Sequence, residues 1–379
     1  MRRKIYQELL QWKQRSGESA LLVQGARRVG KSYIVEAFAK AEYKSYILID
    51  FNLVDQPVKE MFEHDLVDLK TFFMKLTTYY GVKLYERESL IIFDEVQLFP
   101  RARSAIKYLV ADGRYDYIET GSLISIRENV KDILIPSEED HVDMYPLDFE
   151  EFLWANGNDT MMDFIRDCYR KKAPLGQALH RKAMDLFRQY LIVGGMPQAV
   201  NAFVKHNDFD EVDRVKRRIL NLYRDDIRKH AKGYEMKVEA IYDEIPSQMK
   251  NQNQHFKLSS LKQGARFDEY KDAMFWLSDA MIVNHCYNAT EPTFGLNLNR
   301  DRTLLKCYMG DTGLLISHAF DENGIVTGEV YKKLLLDKLE VNMGMVMENM
   351  VAQMLTASGH KLYFYSNSSR SDASSRMEI

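Results

Sequence analysis

Gly25-Ala-Arg-Arg-Val-Gly-Lys-Ser32 decides the fold, because it matches the G-x-x-x-x-G-K-[ST] pattern of a phosphate-binding loop. The apolar residues 20–24 precede it and are typical of a buried strand, and residues 33–40 follow it with apolar side chains at helical spacing. A strand, a glycine-containing loop and a helix in this order predict a cradle of backbone N–H groups at a helix N-terminus. The alternative, a strand-to-helix turn that binds nothing, explains the pattern far less well.

The loop gives its residues distinct expected roles. Gly25 and Gly30 let the backbone curl, Lys31 is expected to reach the β- and γ-phosphates of a nucleotide, and the Ser32 hydroxyl is expected to ligate Mg²⁺. The candidate nucleotide-binding residues are the loop and the residue after it: Gly25, Ala26, Arg27, Arg28, Val29, Gly30, Lys31, Ser32 and Tyr33.

Two adjacent acids end a second apolar run, Leu90-Ile-Ile-Phe-Asp-Glu95. Such a run predicts a fully buried parallel strand, and ligands bind at the carboxyl ends of strands in open α/β sheets. We expect Asp94 to hold Mg²⁺ and Glu95 to polarise an attacking water. Alternatively, both acids cap the next helix or simply lie in solvent. A phosphate loop in the same domain favours the catalytic interpretation, because phosphoryl transfer needs a phosphate cradle and a metal carboxylate together.

A third polar strand end follows at residues 115–122, where Thr120-Gly-Ser122 closes a predicted strand. Thr120 is the candidate sensor of the terminal phosphate, although Thr-Gly-Ser is also good turn chemistry. Other predicted elements in this region are a strand at 45–51 and helices at 66–76 and 101–110. Strands and helices alternate over the first 150 or so residues, which predicts an α/β fold with a mostly parallel sheet.

Composition excludes several classes of protein. The chain has 379 residues, of which 46% are hydrophobic and 28% charged, and its net charge is −3. These values indicate an ordinary globular protein of two to three domains and give no general argument for nucleic acid or an anionic membrane. Its three cysteines are too few and too widely spaced for a disulfide framework or a zinc site. We find no signal peptide or membrane span in the sequence and expect a cytoplasmic protein.

Together these motifs resemble the AAA-type (P-loop, ASCE/STAND-like) ATPases of bacteria and archaea that carry a C-terminal domain of unknown function. Five later pieces also match, at residues 145–152, 194–198, 223–227, 306–314 and 348–351. The resemblance implies ATP as the nucleotide and hydrolysis as the reaction, with Glu95 as the base and Lys31 and Thr120 as further catalytic residues. It also implies that the Thr120 strand lies between the loop strand and the Asp94 strand.

Gly194-Gly-Met-Pro197 is similar to the Gly-x-Pro signature of related signal-transducing ATPases, where that signature lies close to the nucleotide. From the residues alone, a turn between two helices explains it equally well.

The first domain is predicted to end at 158, and a helical lid is expected at 159–235. The lid contains a basic run between 214 and 232. Such a run is most often a solvated helix face, but it could also supply an arginine to the nucleotide. Arg224 and Arg228, one helical turn apart, are the candidates for that role.

A winged-helix-like unit is predicted at 236–290, with helices at 238–245, 258–263 and 267–280 and a strand at 282–287. The third helix carries Asp268, Glu269, Asp272 and Asp279 against a single lysine, Lys271. Because an acidic helix repels phosphates, the unit is interpreted as a packing or protein-interaction module rather than a reader of a DNA groove.

The resemblance implies a nuclease-like α+β domain at the C-terminus, predicted here as a partial domain over residues 291–379. Glu348 matches its helical acid and residues 361–365 match its first strand. The Asp and Lys that metal-assisted hydrolysis would need next are absent, so we expect a truncated or vestigial domain without nuclease activity.

The sequence therefore predicts Mg²⁺-dependent ATP binding and hydrolysis that drives or times a conformational switch. Two alternatives stay open: an ATP-dependent protein that binds or processes DNA, and a nucleotide-gated interaction module with negligible turnover. A protein partner is expected in the first and last cases, DNA is only weakly supported, and the sequence is compatible with an oligomer.

Overall fold

Five strands alternate with helices in the amino-terminal part of the chain, as the sequence predicts. The computed structural model describes residues 1–15, 17–122, 137–250, 255–291, 293–320, 343–367 and 377–378. The chain forms two compact units, Arg2–Met144 and Tyr145–Ile379, the second of which also includes Met1. The predicted end of the first domain at 158 lies beyond this division, and the boundaries predicted at 235 and 290 fall inside the second unit.

The first unit is an α/β layer structure. Its strands are β1 (Ala20–Gly25), β2 (Ser45–Asp50), β3 (Ser89–Asp94), β4 (Asp116–Gly121) and β5 (Glu139–Met144). Its helices are α1 (Ile5–Gln14), α2 (Lys31–Glu42), α3 (Gln56–Glu60), α4 (Leu69–Tyr80) and α5 (Pro100–Asp112). A π-helical turn at Met61–Asp65 and a 3₁₀ turn at Val96–Leu98 complete it.

The five strands pair in parallel in the order β2-β3-β4-β1-β5. The register pairs Val23 with Thr120 and Gly25 with Met144. Strand β4 thus lies between β1 and β3, the position that the resemblance implied for the Thr120 strand. The parallel arrangement brings the carboxyl ends of β1, β3 and β4 to one edge of the sheet.

Both faces of the sheet are covered by apolar side chains. Successive residues of a strand point to opposite faces, so Phe93 joins a core with Phe62 and Phe72, whereas Ile92 joins a second core with Val23 and Phe38. Fully burying a side chain of this size contributes about 1.5–3 kcal/mol. The strand interiors are thus used mainly for packing, and polar side chains such as Asp94 and Thr120 lie at or near the strand ends.

Two predicted elements in this unit have different bounds. The helix expected at 66–76 begins only at Leu69, where the Asp68 side chain accepts hydrogen bonds from the backbone N–H groups of Lys70 and Thr71. Strand β3 ends at Asp94, so Glu95, expected as the last strand residue, lies just outside it with a left-handed backbone (φ 53°).

The second unit is mainly helical. Its helices are α6 (Phe149–Ala155), α7 (Met161–Lys171), α8 (Gln177–Val193), α9 (Pro197–His206), α10 (Phe209–His230), α11 (Glu235–Lys250), α12 (Phe267–Asp279), α13 (Thr312–Ala319) and α14 (Met343–Ala357). Its strands are β6 (Val283–Ala289), β7 (Arg300–Met309), β8 (Leu362–Phe364), β9 (Ser366–Asn367) and β10 (Met377–Glu378). The helices expected between 159 and 235 are present as α7 to α10.

The winged-helix interpretation is not confirmed. The predicted helix at 258–263 is only a 3₁₀ turn at Leu258–Ser260. Strand β6 pairs antiparallel with β7 and parallel with β8, so the boundary predicted at 290 falls between two paired strands.

The nuclease-like interpretation of the C-terminal part is not confirmed either. Glu348 lies on α14 and accepts hydrogen bonds from the Tyr308 hydroxyl at 2.6 Å and from Lys306 Nζ at 3.2 Å. Strand β8 lies within the strand predicted at 361–365. Residues 368–376, part of the predicted tail, lie outside the described residues.

Within the described ranges, no helix combines the length and the apolar character that crossing a membrane requires.

Candidate nucleotide-binding site

The phosphate-loop sequence forms the connection between β1 and α2. Gly25 ends β1 next to Met144 of β5, and a Cβ atom at Gly25 would lie 2.3 Å from the Met144 carbonyl oxygen. Gly30 precedes α2 with φ 99°, a conformation that favours glycine. Both glycines are therefore required by the backbone, and the loop leads directly into a helix N-terminus.

Lys31 is buried at the start of α2. Its Nζ atom donates hydrogen bonds to the carbonyl oxygens of Gly25 at 3.0 Å and Ala26 at 3.1 Å. The ammonium group is thus held against the inside of its own loop, where a bound polyanion would offer stronger acceptors than these carbonyls.

Three polar side chains meet at the carboxyl edge of the sheet. Ser32 Oγ donates a hydrogen bond to Asp94 Oδ1 at 2.7 Å, and Thr120 Oγ1 donates to the same oxygen. Asp94 is only 7% exposed and Thr120 is fully buried. The structure therefore brings together Ser32, Asp94 and Thr120 from α2, β3 and β4.

Glu95 lies beside this group on the turn after β3. Its backbone N–H donates to Thr120 Oγ1 at 3.3 Å, and its carboxylate Oε2 accepts a hydrogen bond from Gln97 Nε2 at 2.5 Å. The left-handed backbone at Glu95 turns the chain away from the strand direction. No role for Gln97 was predicted from the sequence.

The remaining loop residues divide into two kinds. The Ala26 and Val29 side chains are buried in the fold, so these residues offer a ligand only their backbone. Arg27, Arg28 and Tyr33 are exposed, and Arg28 has a left-handed backbone with φ 69°.

Arg224 and Arg228, the candidate charge-stabilising arginines, lie on α10 in the second unit. Arg224 Nη2 bonds Asp243 Oδ1 at 3.0 Å, and Arg228 Nη2 bonds Glu239 Oε1 at 2.8 Å. Both guanidinium groups thus form ion pairs with α11, a role that the basic run did not reveal.

Sequence reasoning also missed a buried ionic group in the first unit, which we call the Arg103 cluster: Arg103, Glu119, Glu139 and His141. Arg103 Nη2 lies 2.8 Å from Glu139 Oε1, and Arg103 Nε lies 4.0 Å from Glu119 Oε2. Both Arg103 and Glu119 are at most 1% exposed. Their positions, on a predicted helix and a predicted strand, gave no signal that they would meet.

The second unit contains another buried group, which we call the Asp311 cluster: Gly194, Gly195, Lys216 and Asp311. Asp311 Oδ2 accepts a hydrogen bond from the Gly195 N–H at 2.5 Å, and its Oδ1 accepts from the Leu314 N–H at 2.9 Å. Lys216 Nζ donates to the Ile192 carbonyl oxygen at 2.7 Å. Burial raises the pKa of Asp311 above its ordinary value and lowers that of Lys216 to about 8.

The Asp311 cluster explains why glycines occupy the predicted turn. A Cβ atom at Gly194 would lie 2.3 Å from Asp311 Oδ1, and one at Gly195 would lie 2.1 Å from the Leu147 carbonyl oxygen. The turn between α8 and α9 is therefore fixed within the second unit by Asp311 and Leu147.

Residues 17–153 match the AAA domain family. This part of the chain is similar to AAA domains. An AAA domain is a P-loop ATPase domain, which indicates nucleotide binding and hydrolysis. Residues 184–323 match a second family, a domain of unknown function (DUF8612), which lies wholly within the second unit.

Several solved structures are similar at low sequence identity. The Walker-type ATPase PABY2304 of Pyrococcus abyssi is 13% identical, with a TM-score of 0.48 over 84% of this chain and 95% of that one. The Aeropyrum pernix Orc1 protein, solved in complex with DNA, is 10% identical, with a TM-score of 0.31 over 86% and 94%. The STAND protein PH0952 of Pyrococcus horikoshii, which has a tetratricopeptide repeat sensor, is 12% identical, with a TM-score of 0.31 over 93% and 48%. These likenesses are too distant to assign a function. No curated protein matches the sequence.

Proposed function

We propose that the AAA domain binds Mg²⁺·ATP in the loop Gly25–Ser32 and hydrolyses it, and that hydrolysis drives or times a conformational switch. The observation that carries the proposal is the meeting of Ser32, Asp94 and Thr120 next to the phosphate loop. These side chains come from three separate elements, and a loop that bound nothing would have no need to bring them together.

The donor set fits both ligands. The hydroxyl of Ser32 and the carboxylate of Asp94 are the hard oxygen donors that Mg²⁺ prefers. The loop backbone and Lys31 offer hydrogen-bond donors and positive charge to the phosphates. When bound, Mg²⁺ would supply neutralisation of the developing phosphate charge.

The remaining steps belong to side chains of this chain. Lys31 exchanges its loop carbonyls for phosphate oxygens and stabilises their charge. Glu95 accepts a hydrogen bond from the attacking water and orients it, and Thr120 reports the state of the terminal phosphate by its bond to Asp94.

Slow turnover, as expected of a timer, is favoured by the contact between Gln97 and Glu95. The Gln97 amide occupies Oε2 of the Glu95 carboxylate and holds the side chain in place. Glu95 must give up or share this bond before it acts on water. We therefore expect Gln97→Leu to raise basal turnover without changing the affinity for Mg²⁺·ATP. Unchanged or lower turnover would remove the argument for a restrained base.

Calorimetry and a turnover assay on the purified full chain test the core proposal. Lys31→Ala is expected to abolish the heat of Mg²⁺·ATP binding, whereas Lys107→Ala, which removes an exposed lysine of the same domain, leaves it intact. Glu95→Gln is expected to bind Mg²⁺·ATP normally and to stop hydrolysis. Parental turnover in Glu95→Gln would show that the base is another residue, and no binding by the parental protein at millimolar ligand would refute the proposal.

The DNA-processing alternative is weakened by the surface of α12. Asp268, Glu269 and Asp272 are exposed on this helix, which the winged-helix interpretation would place in the major groove. Phosphate contacts strengthen as salt falls, so a gel-shift series at decreasing salt is the decisive measurement. Tight binding at low salt would restore the alternative.

A further inference from the structure

The Arg103 cluster contains more buried negative charge than its cation can balance. Arg103, from α5, donates to Glu139 of β5 through Nε at 3.2 Å and Nη2 at 2.8 Å. Glu119, from β4, is 0% exposed. Two ionised carboxylates beside one guanidinium would leave a net negative charge in the interior, which is strongly unfavourable.

The hydrogen bonding around Glu119 also argues against two ionised carboxylates in this cluster. Neither carboxyl oxygen of Glu119 receives a donor from any described residue. The carboxyl group of Glu139 lies within hydrogen-bonding reach of it, and Arg103 Nε lies 4.0 Å from Glu119 Oε2. Two carboxylates have no proton to share, so such a contact is favourable only when one of the groups is protonated.

We propose that Glu119 is protonated at neutral pH, that it donates this proton to Glu139, and that the resulting carboxyl–carboxylate pair positions β4 for Thr120. Glu139 is the ionised member, because it also receives the bonds from Arg103 and lies 3.0 Å from His141 Nε2. The buried charges then balance, with one carboxylate against one guanidinium, and the Glu119 carboxyl group gains a hydrogen-bond partner. This positioning role rests on the function proposed for Thr120.

The other titratable groups around the pair agree with this assignment. Arg103 of α5 acts on both carboxyl groups, and β4 contributes Tyr117, two residues from Glu119. Strand β5 contributes Glu139 and the half-exposed His141, whose pKa is raised by its hydrogen bond with Glu139. Burial and the neighbouring Glu139 raise the pKa of Glu119 well above its ordinary value. Burial alone would raise the pKa of Glu139 as well, but hydrogen bonds from His141, Glu119 and Arg103 lower it.

The link to the site is the backbone of β4. Glu119 and Thr120 are adjacent, so their side chains point to opposite faces of the sheet and the position of one fixes the other. Loss of the proton would place two negative charges in contact below the strand. Glu119 is therefore a positioning residue, not a catalytic one.

Infrared spectroscopy tests the proton directly. We expect the unliganded protein at pH 7 to show the carbonyl stretching band of a buried protonated carboxylic acid, and this band to be missing from Glu119→Gln. Glu139→Gln and Glu119→Gln are matched variants for unfolding. Glu119→Gln replaces the proton donor by an amide donor and should unfold near the parental temperature. Glu139→Gln removes the partner of Arg103 and should unfold well below it or fail to fold.

A lower unfolding temperature for Glu119→Gln than for Glu139→Gln, or an equal decrease in both variants, would overturn the assignment of the proton to Glu119. The absence of the infrared band would also overturn it.

A kinetic test addresses the positioning role. Glu119→Leu should lower kcat for ATP with KM unchanged, and Glu119→Gln should restore kcat. Equal kcat in Glu119→Leu and the parental protein would refute positioning. Because the infrared and unfolding measurements do not depend on turnover, failure of the proposed ATPase activity would be recognised separately.

Discussion

Two sites bury a charged side chain beside glycine backbone: the phosphate-loop site of the first unit and the Asp311 cluster of the second. They differ in the hydrogen-bond partners of that side chain. Asp311 accepts hydrogen bonds from the N–H groups of Gly195 and Leu314, which are fixed parts of the fold. Lys31 donates to the carbonyls of its own loop, which a polyphosphate would replace. A buried charge held by fixed backbone partners is structural, whereas one held by exchangeable partners is available to a ligand.

The largest effect is expected from Asp311→Ala. This change leaves two buried N–H groups without an acceptor and removes the negative charge near Lys216, so the free energy of unfolding of the second unit should fall by about 3–5 kcal/mol. Denaturant titration of a Trp12→Phe background, in which Trp154 and Trp276 report on this unit, measures the loss. Asp268→Ala, at an exposed position on α12, is the control, and a loss under about 1 kcal/mol would mean that Asp311 is not a structural charge.

Lys216 is expected to make the free energy of unfolding depend on pH. Burial lowers its pKa from 10.5 to about 8, so between these values the unfolded chain binds the proton and the folded chain does not. Stability should therefore rise with pH in this window, by up to about 3 kcal/mol, because the folded state no longer carries a buried ammonium. Lys216→Met should lack this rise.

The measurement is the free energy of unfolding at pH 7.5 and pH 10 for both proteins. Tyrosine and cysteine titrations affect the two proteins alike, so the difference between them isolates Lys216. Parallel pH profiles would show that burial does not lower the pKa of Lys216.

Asp94→Asn tests whether the phosphate-loop site binds Mg²⁺ through this carboxylate. The asparagine carbonyl still accepts hydrogen bonds from Ser32 and Thr120, so the fold should lose less than about 1 kcal/mol. The negative charge for Mg²⁺ is lost, and the affinity for Mg²⁺·ATP should fall by about tenfold to hundredfold, or about 1.4–2.7 kcal/mol. Calorimetry with ATP in the absence of Mg²⁺ is the control and should give similar affinities for both proteins. Equal affinity for Mg²⁺·ATP would place the metal elsewhere.

The phosphate-loop site can be predicted from the sequence, whereas the Asp311 cluster cannot. The phosphate loop carries its chemistry in eight contiguous residues, and alternating strands and helices predict the parallel sheet around it. The contact between Gly195 and Asp311 joins residues 116 positions apart, and no local pattern encodes it. Glu119 and Arg103 meet for the same reason without a sequence signal, although charged residues in otherwise buried elements were visible.

Some predicted helix bounds differ from the observed ones because the residues there favour another local structure. The predicted helix at 258–263 contains two serines and is followed by Gly264, and such weak helix formers allow only a 3₁₀ turn. The π-helical turn at Met61–Asp65, in which Met61 and Phe62 are buried in the core, was likewise not predicted from the periodicity. At the site itself, side-chain identity was predictable, whereas the restraint of Glu95 by Gln97 depends on a left-handed turn that the sequence does not show.

Arg28 gives the smallest expected effect and the sharpest test of whether the loop works through its backbone alone. A left-handed backbone at a residue other than glycine costs about 1–2 kcal/mol, and the exposed Arg28 adopts it within the loop for which anion binding is proposed. Arg28→Gly relieves this strain but gives the unfolded chain more freedom, so the free energy of unfolding should change by less than about 1 kcal/mol. If the guanidinium contributes to binding, the affinity for Mg²⁺·ATP should fall about three- to fivefold, in line with the 0.2–1 kcal/mol of an exposed charge contact.

Two variants serve as controls. Arg28→Lys should keep most of the affinity for Mg²⁺·ATP, and Arg15→Ala, which removes an exposed arginine outside the loop, should keep all of it. If Arg28→Gly binds at least as tightly as the parental protein, the strained arginine has no part in nucleotide binding, and the cradle acts through its N–H groups and Lys31 alone.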